Sequence, residues 1–145
     1  MGLAFVKLLE ILNKPAEWKW FKTSSRQWTA LFIIDNNKYV FQAETSDMET
    51  WQITFEIRGR GQGMKPHEIS KTGNEFKVFA TVAEILDEFL KKAKPDKFWF
   101  TAKEPSRAKL YDRFSKIILS KHNKYKVVDS IQNNKKFYEF EKKRL

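Results

Sequence analysis

Between Lys71 and Phe114 the hydrophobic pattern changes period, and that change limits the folds open to the chain. Just upstream, Trp51-Gln52-Ile53-Thr54-Phe55-Glu56-Ile57-Arg58 alternates. Trp51, Ile53, Phe55 and Ile57 share one face, and Gln52, Thr54, Glu56 and Arg58 share the other, as in a half-buried strand. Past the polar turn Lys71-Thr72-Gly73-Asn74 the spacing becomes helical. Val78, Phe79, Val82, Ile85, Leu86, Phe89 and Leu90 form one stripe, predicting an amphipathic helix from near Asn74 to Ala93. Thr81 and Glu84 have capping-box spacing, but the stripe begins ahead of them. Lys91, Lys92 and Lys94 oppose the helix dipole at the C-terminal end, and Pro95 stops the helix. Lys97-Phe98-Trp99-Phe100-Thr101-Ala102 then reads as a short aromatic strand. Glu104-Pro105 opens a basic helix. Its buried stripe is Leu110, Tyr111, Phe114, Ile117 and Ile118, and Arg107, Lys109, Arg113 and Lys116 occupy the remainder.

The flanking segments extend this order. Leu3, Val6 and Leu9 make a helical stripe, so residues 1–13 are predicted as a docked helix ended by Asn13-Lys14-Pro15. Trp18-Lys19-Trp20-Phe21-Lys22 alternates imperfectly. Gln27 to Ile34 is rich in strand formers, and Asp35-Asn36-Asn37-Lys38 is a hairpin turn, because Asn and Asp tolerate positive φ. Tyr39 to Ala43 returns. Residues 18–58 are thus an antiparallel meander. Gly59-Arg60-Gly61-Gln62-Gly63 is a basic glycine loop, and His67 to Ser70 is a short strand. The last strands, Tyr125–Ser130 and Lys136–Glu141, flank Gln132-Asn133-Asn134 as a hairpin. Residues 71–141 therefore read helix, strand, helix, hairpin. The expected fold class is α+β: one domain over 1–145, with a single mixed, mostly antiparallel sheet and three helices.

At 145 residues the chain is long enough for a real core. Thirteen Phe, five Trp and four Tyr supply much of it. With no Cys, disulfides and thiolate zinc sites are excluded, which fits a reducing cytosol. A cytoplasmic protein is expected. Apolar runs are too short and too often charged to span a membrane. The first residues lack a basic leader and a cleavage site, so they do not read as a signal peptide. Net charge is +10 and uneven: +2 before Gly73 and +8 from there on. A basic half suits an anionic partner, nucleic acid among them, or a solvated lysine surface.

Chemistry-bearing residues are few. His67 and His122 stand apart from other ligand types, so no metal is expected. Glu56, on the polar face of its strand, suits either a base or a solvated carboxylate. Ser106 and Arg107 at a helix start suit an anion or a cap. Arg58 and Arg60 in the glycine loop, with Arg107, Lys109 and Arg113, are the candidate anion or nucleic-acid contacts. Trp18, Trp20, Trp28 and Trp51, interleaved with Lys19, Lys22 and Arg26, suit base stacking or sheet packing.

From Thr50 to Phe140 the order of elements resembles the Gcn5-related N-acetyltransferase (GNAT) superfamily. Leu110-Tyr111-Asp112-Arg113-Phe114 is similar to the tyrosine motif on that family's last helix. The resemblance implies acyl-CoA, such as acetyl-CoA, at the splayed centre of the sheet. It also implies Tyr111 as the acid that protonates the leaving thiolate; Glu56, from its place on the polar strand face, is the candidate base toward an amine. The family's pyrophosphate turn is only partly present. Arg58-x-x-Gly61-x-Gly63 has its letters but lies ahead of Pro66 and well before the helix. Lys71-Thr72-Gly73-Asn74 has its position and other letters. Val78-Phe79-Ala80-Thr81-Val82 and the run from Glu104 to Arg113 also resemble motifs of small tailed-phage proteins. Three functions follow: an acetyltransferase-like phage accessory protein that binds a host or phage macromolecule without catalysis, an active acyl-CoA-dependent N-acyltransferase, or a nucleic-acid binder using the basic C-terminal half.

Overall fold

The computed structural model describes residues 14–58, 75–102, 108–133 and 135–143. Nine elements follow in order: β1 (Trp18–Thr23), β2 (Gln27–Ile34), β3 (Asn37–Glu44), β4 (Thr50–Arg58), α1 (Glu75–Ala93), β5 (Lys97–Ala102), α2 (Ala108–Lys121), β6 (Tyr125–Gln132) and β7 (Lys135–Lys142). The predicted helix over 1–13 and the predicted strand over 67–70 lie outside the described residues.

The seven described strands form one sheet in the order β1-β2-β3-β4-β5-β7-β6. Every neighbouring pair is antiparallel except β4 with β5. The protein is therefore α+β with a mixed, mostly antiparallel sheet. Local chemistry sets the meander. Asp35 and Asn36 have φ of 49° and 66°, the two left-handed residues of a tight hairpin, and Ile34 pairs directly with Asn37. The β3–β4 turn is organised by Asp47, whose Oδ1 accepts from the Glu49 and Thr50 backbone N–H groups at 2.9 and 2.8 Å.

Parallel strands need a crossover, and α1 supplies it between β4 and β5. β5 and β6 both run antiparallel to β7, so α2 is a second crossover that moves the same way across the sheet. Two such crossovers place both helices on one face. Their contact is direct: the Phe79 and Phe114 ring centroids are 5.6 Å apart. Beneath them lie Phe32, Phe41, Ile53, Phe98, Phe100 and Phe140, all buried. We call this the inner face.

Helix ends and interior follow the sequence. Thr81 is interior to α1, not its cap; its hydroxyl donates to Lys77 O at 2.8 Å and accepts from Ala16 N at 2.9 Å. Lys94, with φ 49°, closes α1 in the left-handed conformation and donates its N–H to Leu90 O. The aromatic-rich first half packs as a ladder. Trp18, Trp20 and Trp28 meet edge to face in succession at 5.1 Å, and Trp28 reaches Phe89 of α1 at 5.4 Å. Trp20 also donates Nε1–H to Glu88 Oε1 at 3.1 Å. These tryptophans pack the sheet against α1. At the other end Tyr125 donates its hydroxyl to Pro95 O, and burial pushes its phenol up to about 12.

Candidate functional site

The one parallel junction among the described strands is short. β4 and β5 pair only through Thr50, Trp51 and Gln52 with Lys97, Phe98 and Trp99. Beyond these pairs each strand continues beside its other neighbour, β4 along β3 and β5 along β7. The sheet thus opens a wedge at its centre, pointing toward the C-terminal ends of both strands. In α/β sheets such an opening beyond the carboxyl ends is where ligands bind.

Aromatic side chains fill the inner side of this wedge. Phe55 stands on β4 and Phe100 on β5. Tyr111 of α2 bridges them, with ring centroids 6.1 Å from Phe55 and 5.8 Å from Phe100. Phe114, one turn further along α2, lies 6.5 and 5.4 Å from the same two rings. Phe79 of α1 closes the group, 5.5 Å from Phe55 and 5.3 Å from Tyr111. Phe79, Phe100 and Phe114 are buried, while Tyr111 is half-buried. Tyr111 packs against the core, and its ring reaches both splayed strands.

Beside the wedge is a polar knot. Asp112 Oδ1 accepts from Lys136 Nζ at 2.8 Å and from the Tyr138 hydroxyl at 2.7 Å. The Lys136 bond, then the Tyr138 bond, holds the Asp112 carboxyl below its ordinary value. Burial, and then Asp112 itself, pushes the Tyr138 phenol up. A phenol that donates to a carboxylate is held in its neutral form, so Tyr138 is not a ready proton donor.

A second pair ties α1 to the end of α2. His122 Nε2 lies 2.6 Å from Asp87 Oδ1, and Lys91 reaches the other Asp87 oxygen at 3.1 Å. Burial raises the Asp87 carboxyl, but the bonds from Lys91 and His122 outweigh it and the net shift is downward. His122, isolated in the sequence, is thus joined to a carboxylate by the fold. Among the described residues no three His, Cys, Asp or Glu side chains gather as metal ligands.

The remaining candidates divide. Arg113 is exposed on α2. Glu56 and Arg58 lie on β4, their Cα atoms opposite Val40 and Lys38. Lys109 is in the first turn of α2. Arg60, Gly61, Gly63, Lys71, Thr72, Gly73, Asn74 and Arg107 lie outside the described residues. No described helix is long and apolar enough to cross a membrane.

Residues 32–145 match a family described as a family of unknown function, DUF6934. The chain belongs to DUF6934. The matched region holds the wedge, both helices and the polar knot, and begins within β2, after β1. A search of curated proteins found no match. Sequence reasoning missed the Asp112–Lys136–Tyr138 knot, whose members are unremarkable locally and meet only through packing of α2 on β7.

Proposed function

We propose that this DUF6934 protein is an acetyltransferase-like domain that works by binding a macromolecule and not by acyl transfer. The short parallel junction and the wedge beyond it support the acetyltransferase-like reading. The observation that carries the non-catalytic part is the packing of that wedge. Phe79, Tyr111 and Phe114 already fill the inner side of the space between Phe55 and Phe100. An acyl-pantetheine arm entering there would have to displace rings whose burial contributes to the core, at about 1.5–3 kcal/mol for each fully buried side chain. The Val78–Val82 and Glu104–Arg113 motifs support a phage origin, with a host or phage macromolecule as partner.

A second reading keeps catalysis. Tyr111 is half-buried and spans both splayed strands, which is where a general acid for a departing thiolate would stand. The two readings part on ligand binding. Acetyl-CoA that binds the native state raises the melting temperature by mass action. The non-catalytic reading expects no shift at millimolar acetyl-CoA, and a dose-dependent rise that Tyr111→Ala abolishes would favour the enzyme.

A further inference from the structure

The face of the sheet away from α1 and α2, the outer face, carries a separate feature. In β1, Trp20 pairs with Ala30 and Lys22 with Thr29, so Phe21 is the extra residue of a bulge. A bulge re-aims the side chains it carries. Here Phe21 and Lys22 come to line the same outer concavity, and Phe21 is 71% exposed. The concavity is shallow, open to solvent and about 410 Å³ in volume. Thr29, Leu31 and Val40 supply small and apolar surface, and Lys38 joins Lys22 as the second cation. Gln27 and Gln42 complete the lining among the described residues. Lys22 Nζ donates to Gln27 Oε1 at 2.9 Å.

The lining states what it can hold. An exposed ring over an apolar floor is a stacking platform for a flat group. Two ammonium groups on one concavity favour an anion. Two carboxamides can read a hydrogen-bonding edge. Unpaired bases on a phosphodiester chain offer all three, whereas duplex bases are stacked away from such a surface. An acidic peptide would satisfy the lysines and leave the ring and the amides unmatched. We infer that this concavity binds a segment of single-stranded nucleic acid, with a base against Phe21 and phosphates at Lys22 and Lys38. The inference rests on the reading of the chain as a macromolecule-binding domain and names the partner class. It uses a surface distinct from the basic C-terminal half. Phe21, Lys22, Gln27, Thr29 and Leu31 precede residue 32, so much of the site lies outside the family match.

The test is fluorescence anisotropy of the full chain with a short labelled oligonucleotide of mixed sequence, as DNA and as RNA, over a salt series. Binding is expected at low salt with either sugar. Phe21→Ala should weaken it about tenfold, the worth of one stacked base, without changing the melting temperature. Lys22→Ala and Lys38→Ala should each flatten the log–log salt dependence by about 0.7. Lys121→Ala with Lys124→Ala, which removes two exposed charges from the end of α2 and the turn after it, should weaken binding less than Phe21→Ala does. Failure of both oligonucleotides to bind at low salt overturns the inference, even if the same surface captures a protein. So does binding that Phe21→Ala leaves unchanged, which would mark diffuse charge attraction. A parallel melt with acetyl-CoA separates the two levels: stabilisation there would sink the non-catalytic reading, whatever the oligonucleotides do.

Discussion

The two faces of the sheet come from the same alternating strands and reach opposite ends. On the inner face Phe41, Phe98 and Phe140 are fully buried beneath α1 and α2. On the outer face Phe21, Ile33 and Val128 are 71%, 64% and 53% exposed. The inner face has the architecture expected of a ligand site, a wedge beside a tyrosine, yet aromatic packing occupies it. The outer face carries an open concavity that presents a ring, cations and amides. A site is therefore better judged by which groups remain available than by where a fold of this kind usually keeps one.

The contrast can be broken most sharply by truncation. Phe100→Ala removes a ring at the heart of the wedge and should cost about 3–5 kcal/mol in urea unfolding. Phe21→Ala should change stability by no more than about 0.5 kcal/mol. Comparable losses from the two would erase the distinction between a packed wedge and an available outer surface.

A smaller effect tests the knot beside the wedge. Asp112→Ala takes the acceptor from both Lys136 and Tyr138, and Tyr138 is buried. Asp112 itself is 43% exposed, so water partly replaces it. A loss of about 1 kcal/mol is expected, at the low end for an unsatisfied buried partner. A loss near zero would mean that α2 is held over the wedge by its rings alone.

The acid side of the stability curve gives the smallest effect. Asp112 and Asp87 both have carboxyls lowered in the folded state. Their contribution is present above the ordinary carboxylate value, near 4, and is lost as pH falls through the depressed native values. Melting temperature should fall over that range, and Asp112→Asn should fall less steeply than the parent. An unchanged slope would mean that the Lys136 and Tyr138 bonds do not stabilise the ionised form.

Local chemistry explains what could be read in advance. β2 was legible to the residue because a run rich in strand formers ends at Asp35-Asn36, and both residues do take positive φ. α1 was legible because its stripe runs unbroken from Val78 to Leu90. The imperfect alternation of Trp18 to Lys22 was the visible trace of the Phe21 bulge, although the pattern alone did not say which face the ring would take. The wedge was less legible. The extent of parallel pairing between β4 and β5 depends on how α1 and α2 pack, not on either strand. His122 looked isolated because Asp87 lies on another helix. Tyr111 fell on a helical stripe, and a stripe position alone does not distinguish a core ring from a proton donor.

In this structure aromatic rings already fill the inner side of the wedge. The most direct measurement is the melting temperature of the intact chain in rising acetyl-CoA. No change is expected up to millimolar concentration. A saturable rise of several degrees would show that the aromatic rings yield to a ligand, and would contradict the non-catalytic reading.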